Sequence, residues 1–462
     1  MKNRMLSARN HSGLSHQSRS RKVRWIKIAI ILPLAAVFIA WGATLVIPAP
    51  ASSQKTLLPP ADPEQIQRGA YLARVGDCIA CHSRAGEPPF SGGVAIASPI
   101  GGMVPPNITP DKQFGIGHFS YADFDNAVRY GIRKDGSTLY PSMPWPSYSR
   151  ISQQDMQALY AYFINEVKPV PQASAENTIP WPLSLRWPMT WWRWFFAPES
   201  GPVLQHTPDD PVQLGAYYVT GLGHCGACHT PRAITQQEMA YDDPSGTDYL
   251  SGGQVIDGYA APSLRGELRS GLGMSHSNEL VELLKTGVTD KTATFGPMSE
   301  VVTNSTQYMT EHDLQAIATY LRTLSPAVTQ SQPYYTMKTY TAFSKGDVSR
   351  PGAEIYLTHC SACHLTNGLG YRKKFPALAL NSAVNSADPA GLISIVLNGG
   401  TQAESALSGP GYAMPGFAGQ LSDRQIADVV SFIRSSWGNE SAPVAASAVK
   451  TLRKNGPSAA TK

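Results

Sequence analysis

A mainly α-helical chain, built as three tandem copies of one small domain behind an N-terminal apolar segment, is the fold this sequence predicts. Three observations carry it. All six cysteines fall in one pattern, used three times. After each use comes the same order of a Pro-bearing loop, a Met-bearing loop and an amphipathic helix. The chain also opens on a basic arm that runs into a long uncharged stretch. Gly 40 and Pro 37 favour many turns and modest helices, and 42% apolar against 15% charged residues marks a folded chain.

The first 27 residues hold eight Lys/Arg (Lys2, Arg4, Arg9, Arg19, Arg21, Lys22, Arg24, Lys27) and no acid, so the net charge of +5 leaves −3 for everything after them. A basic arm before a near-neutral body is the pattern of membrane targeting, not of nucleic-acid binding. Residues 28–48 then run without a charge through Ile30, Leu32, Val37, Phe38, Trp41 and Leu45. About 20 apolar residues span a bilayer core, whereas the apolar part of a signal peptide is ~7–15. The run therefore reads as a retained transmembrane anchor, with 1–27 as its cytoplasmic tail, because excess Lys/Arg stays inside. Ala49-Pro50-Ala51 has the small residues of a cleavage site, which leaves a removed signal as the alternative. Both readings export the body.

The cysteines read Cys78-Ile-Ala-Cys81-His82, Cys225-Gly-Ala-Cys228-His229 and Cys360-Ser-Ala-Cys363-His364. This composition would yield about 0.002 such motifs by chance. Two thiols three apart on a helical turn bond to the two vinyl groups of haem, and the adjacent His is the proximal iron ligand. A structural zinc site wants its Cys pairs ~15–20 apart, but the gaps here are 144 and 132 residues. A thioredoxin-like pair wants a βαβ surround, and disulfides would not repeat a His at one offset. The sequence thus implies three covalently bound haem c groups, attached at Cys78, Cys81, Cys225, Cys228, Cys360 and Cys363, with proximal ligands His82, His229 and His364.

Around each motif the repeat extends. Gly69-Ala70, Gly215-Ala216 and Gly352-Ala353 precede it on a short predicted helix. Pro106-Asn-Ile108, Pro262-Ser-Leu264 and Pro376-Ala-Leu378 follow it. Met143, Met298 and Met414 then lie in Pro- or Gly-bearing loops, 61, 69 and 50 residues beyond the proximal His. A thioether is a neutral, soft sixth ligand that raises a haem potential, so these three are the expected distal ligands. Met103, Met274 and Met309 are the competing thioethers, and His118, His276 and His312 would give bis-His ligation instead. Each copy closes on a capping signal, Ser152-x-x-Asp155, Thr310-x-x-Asp313 and Ser422-x-x-Gln425, with apolar stripes such as Ile426, Val429, Val430 and Ile433 that read as core. The domains fall at 62–170, 208–328 and 346–438, with a Trp-rich linker at 171–207, a second linker at 329–345 and a tail at 439–462 expected to be disordered.

With these motifs the chain resembles, over residues 60–440, the tri-haem cytochrome c subunits of acetic-acid-bacterial, membrane-bound alcohol dehydrogenases. It is similarly close to the cytochrome subunits of gluconate, sorbitol, fructose and aldehyde dehydrogenases. Gly131-Ile-Arg-Lys-Asp-Gly136 leading to Tyr140-Pro-Ser-Met143-Pro, and Met298 to Tyr308, carry the likeness besides the haem motifs. The resemblance implies three class-I-like cytochrome c domains facing the periplasm from the inner membrane. It also implies a catalytic subunit of the PQQ, FAD or molybdenum type as partner, and ubiquinone as acceptor. Family members often carry cleavable signals, from which the long run here departs.

No His/Cys cluster is left over, so no catalytic residues are expected on this chain. A free-standing anchored cytochrome carrying electrons between respiratory complexes shares every motif and stays open. So does the role of Trp181 to Phe196, which holds five of the nine Trp: packing in a domain seam, contact with a partner, or contact with membrane or quinone. Tyr241 to Gly253 reads as a loop facing a partner.

Overall fold

The computed structural model describes residues 14–47, 60–197, 209–253 and 255–455. Helix α1 (Leu14–Thr44) contains the uncharged run. Its apolar part, Trp25–Thr44, is 20 residues long, about 30 Å at 1.5 Å per residue, and residues 25–39 are all exposed. That fits a membrane anchor. Residues 1–13 and the Ala49-Pro50-Ala51 cleavage reading lie outside the described residues.

Behind α1 one helix pair is built three times. In the first unit α2 (Pro63–Val75) leads to α3 (Cys78–His82). The chain passes α4 (Tyr121–Tyr130) and α5 (Trp145–Tyr148), and α6 (Gln153–Asn165) returns across α2. Helix α7 (Trp187–Phe196) follows. In the second unit α8 (Pro211–Tyr217) continues through a π turn at Tyr218–Leu222 to α9 (Gly226–His229). Then α10 (Ser277–Thr286) and α11 (Pro297–Asn304) precede α12 (Glu311–Leu321), packed on α8. In the third, α13 (Lys338–Ser344), α14 (Ala353–His359), α15 (Ser361–His364) and α16 (Ala390–Asn398) come before α17 (Asp423–Arg434), which crosses α14, and α18 (Ala446–Asn455). Among the described residues the strands form three short antiparallel hairpins.

The Gly of each Gly-Ala pair is where the paired helices touch. A Cβ on Gly69 would stand 1.9 Å from the Ala158 carbonyl oxygen, on Gly215 2.1 Å from that of Ala316, and on Gly352 2.3 Å from that of Asp428. Only hydrogen permits these crossings. The closing helices start at the expected caps: Ser152, Thr310 and Ser422 each accept from the backbone N–H three residues on, and at Ser422 the Gln425 side chain completes the box. Their apolar stripes form the core, with Met156, Leu314, Ile426 and Val430 at 0% exposure.

The first two units meet reciprocally. Tyr217 donates to Asp155 Oδ2 at 2.7 Å, and Tyr71 donates to Asp313. Each hydroxyl also accepts from the N-cap residue of the helix it faces, Ser152 N at 3.1 Å and Thr310 N at 3.3 Å. Tyr71 and Tyr217 hold the same place after Gly-Ala, and Asp155 and Asp313 the same place in the closing helix. Two copies of one patch thus pair face to face, as in an isologous dimer, here within one chain. Arg150 adds a bond to Asp242 at 2.9 Å, which ties one end of the 241–253 loop to the first unit; Tyr249 and Leu250 are buried, while Asp243 and Asp248 stand exposed.

Two sequence expectations change in the third unit. Residues 338–344 are helix, and Phe343 stacks on Tyr356 with centroids 6.0 Å apart, so the 329–345 linker contributes to the core. The tail is ordered to residue 455: α18 packs on α16 and α17, Val449 is 0% exposed, and Arg453 bonds Asp423 at 2.6 Å. Its Ala/Ser/Lys composition reads as solvated, but Val449 and Leu452, three apart, form a narrow apolar stripe that finds a groove.

Candidate haem sites

Each Cys-x-x-Cys-His motif folds as a single helical turn following the helix at its Gly-Ala pair, which sets the two thiols three apart on one face. All six cysteines are described and none is in a disulfide. The His ring is aimed by backbone. His82 Nδ1 lies 2.7 Å from the Pro106 carbonyl oxygen, His229 Nδ1 2.8 Å from that of Pro262, and His364 Nδ1 2.9 Å from that of Pro376. A carbonyl only accepts, so Nδ1 carries the proton and Nε2 presents its lone pair, the tautomer an iron ligand needs. Burial lowers the pKa of His229 and His364, against the weaker opposing pull of those carbonyls, which keeps both imidazoles neutral. The carbonyl of each His accepts in turn from a glycine N–H: Gly92 at 2.9 Å, Gly252 at 2.7 Å and Gly370 at 3.1 Å.

The sequence marked the Pro-x-(Leu/Ile) segments as a repeat without giving them this task. It also left Ser91-Gly92-Gly93 and Ser251-Gly252-Gly253 unremarked, a doubled signal that would have found the glycine donors.

Met298 and Met414 line one apolar cavity of about 760 Å³, together with His229, His364 and all four cysteines of the second and third motifs. Two sites share that space because the units interlock: Ala377 N donates to Lys291 O at 2.9 Å, Ser394 Oγ to Gly258 O at 2.7 Å, and Lys373 pairs with Glu282. Met143 packs half-buried against the core of the first two units, and its carbonyl accepts from Trp145 N at 2.8 Å. Of the competitors, Met103 lies in a hairpin strand, while Met274 and Met309 also line the shared cavity. His118, His276 and His312 stand exposed and outside it.

Two of the buried polar atoms without protein partners belong to residues next to these motifs or Met loops in the chain. Trp145 Nε1, beside the Met143 loop, has no acceptor, a vacancy that suits a propionate. Asp77 Oδ1 has no donor, and Asp77 lines the shared cavity although it precedes the first motif. Thiols, a correctly protonated imidazole, an apolar cleft and an unfilled donor together fit covalent haem.

A cytochrome c family model matches residues 349–437. Over 403 residues, 86% of each chain, the protein is 48% identical to the cytochrome c subunit of the quinone alcohol dehydrogenase of Gluconacetobacter polyoxogenes. It is 48% identical over 396 residues, 84% of this chain and 90% of the relative, to the gluconate 2-dehydrogenase cytochrome c subunit of Pantoea cypripedii. The fructose dehydrogenase cytochrome subunit of Gluconobacter japonicus is 35% identical over 88% of this chain and 85% of its own. The chain belongs to the cytochrome c subunits of membrane-bound dehydrogenases.

As a cytochrome c subunit it binds haem c covalently and transfers electrons. The apolar helix ahead of the haem-binding body fits a membrane anchor. The remaining geometry bears on how the subunit's sites communicate. The Met-bearing segment of each of the first two units leans on the motif of the other. Tyr148, after Met143, meets the His224 ring edge-on at 5.6 Å, and Ser305, after α11, donates to Val75 O at 3.1 Å.

Proposed function

We propose that this subunit carries three haem c groups and passes electrons from a dehydrogenase catalytic subunit, of the PQQ, FAD or molybdenum type, on the periplasmic side of the inner membrane to ubiquinone. The observation that carries this reading is the threefold proximal geometry: the same thiol spacing, imidazole tautomer, prolyl carbonyl and glycine N–H recur at all three motifs. Bound there, haem c supplies a one-electron Fe(III)/Fe(II) couple. Cys78 and Cys81, Cys225 and Cys228, and Cys360 and Cys363 would hold it, with His82, His229 and His364 and with Met143, Met298 and Met414 as its iron ligands. With a His and a Met taken up at each site, the group would supply electron transfer rather than substrate chemistry, and specificity would belong to the partner. The relatives' names, an alcohol, gluconate and fructose dehydrogenase, support that class of partner. The cavity common to the second and third motifs supports electron exchange between those sites.

The test is substrate-driven reduction of the c-haem α-band in the complex purified from membranes in mild detergent, offering ethanol, acetaldehyde, gluconate and sorbitol in turn. Reduction by one of them, with a larger subunit co-purifying, is the expected result. If dithionite reduces the haems, no substrate does, and the chain emerges alone from active membranes, a free-standing carrier is the better reading.

A further inference from the structure

Helix α7 packs against the anchor. Trp191 Nε1 donates to the carbonyl of Ala40 at 3.1 Å. Ala40 lies four residues before the end of α1, so this contact sits about 6 Å inside the apolar span. Interfacial helices bury their apolar face ~5–10 Å into the headgroup–acyl boundary, so the contact falls at that depth. Trp194 and Phe195 extend from the same cluster, 57% and 61% exposed, with Phe195 stacked on Trp191 at 5.8 Å.

A second element joins this surface. The loop 231–239 is a tight hairpin, bridged Arg232 to Glu238, and its tip is bound to α7 by Trp192 Nε1 donating to Thr235 O at 2.7 Å. At that tip Ile234 is 98% exposed, and Met239 is 52% exposed. A free Ile at a hairpin tip costs solubility in water and gains in lipid. Charge is turned away. From 177 to 197 the only ionisable residues are Arg186, stacked over Tyr140 at 4.0 Å, and Arg193, buried and bonded to Thr138. The two charges of the hairpin, Arg232 and Glu238, face inward.

We infer that α7 and the 231–239 hairpin form a second membrane contact, lying in the interfacial layer of the leaflet at which α1 ends. Lipid is the occupant, rather than a protein partner, because the surface is continuous with a helix that spans the bilayer and meets it below its end. The hairpin in turn braces a haem attachment turn, since Arg232 Nη2 donates to Ala227 O at 3.0 Å. The Cys225–His229 motif is thereby clamped to the membrane surface. The inference rests on α1 being an anchor.

The full-length cytochrome, with its haems and any subunits that co-purify, is placed in nanodiscs containing a phospholipid with a photoactivatable diazirine near the top of its acyl chain. Adducts are mapped by mass spectrometry. Adducts on α1, on 187–196 and on 231–239, with none near the exposed Leu407 of the third unit, are expected. Ile234→Lys should lower the hairpin adducts about tenfold and leave those on α1 unchanged. Adducts confined to α1 overturn the inference, as do adducts on α7 and the hairpin that vanish whenever a second subunit is bound. If α1 itself is unlabelled, the anchor reading fails first and the inference falls with it.

Discussion

Glu238 lies buried beside the second haem motif, its Oε2 2.3 Å from where a Cβ on Gly226 would stand. Burial pushes its carboxyl up to about 7, against the opposing pull of Arg232 and then Arg150. Between the ordinary carboxylate range and 7 the folded chain keeps a proton that the unfolded chain has lost. Its stability contribution is therefore full below about pH 4.5 and is lost as pH rises through 7. Glu238→Gln should remove that dependence: urea titrations at pH 5 and pH 8 should show the parent losing about 2 kcal/mol more than the variant. Equal losses in both would acquit the carboxyl. Replacing Met143, Met298 or Met414 by Ala should each convert one haem partly to high spin in the optical spectrum. If Met298→Ala leaves all haems low-spin, Met274→Ala and Met309→Ala come next, since both thioethers share that cavity. At this scale the covalent chemistry was legible, because Cys-x-x-Cys-His states its own geometry. The prolyl carbonyls that orient the imidazoles were not, because a peptide oxygen's direction is not written in residue types.

Among the elements, the paired helices of each unit depend on one missing side chain. Gly215→Val should cost about 1–3 kcal/mol, since the Ala316 carbonyl leaves no room and backbone must move. A lowered urea midpoint with retained helical circular dichroism would show it. Helix α18 makes the opposite case. Ending the chain at residue 445 removes the fully buried Val449 and the Arg453–Asp423 pair. The melting temperature of the third unit should fall, with faster proteolysis near α17, while the first two units hold. An unchanged melt would mean the helix is passive. Caps and stripes made the closing helices readable in advance. Helix α18 escaped because two apolar residues in an Ala/Ser/Lys segment form a stripe only once α16 and α17 supply the groove.

For the whole molecule, the reciprocal Tyr71–Asp313 and Tyr217–Asp155 bonds join the first two units into a pseudo-symmetric pair. Tyr71→Phe and Tyr217→Phe should each cost about 1–2 kcal/mol, because each leaves a carboxylate short of a donor at a seam. Together they should cost less than the sum, since one interface carries both. A double-mutant cycle in urea measures this directly, and strict additivity would mean the two bonds act independently.

The sequence by itself determined the three Cys-x-x-Cys-His motifs, the closing helices and the long apolar run. Each of these is local, written in spacing, capping residues or the length of an uncharged stretch. Only the tertiary structure decided how the units associate: the face-to-face seam of the first two, the cavity that the second and third motifs share, and the ordered α18. It also decided that the Trp-rich segment is a helix laid against α1, with the Ile234 hairpin beside it. These join residues tens to hundreds of positions apart, and such contacts are selected by the fit of whole surfaces, which no window of the sequence contains.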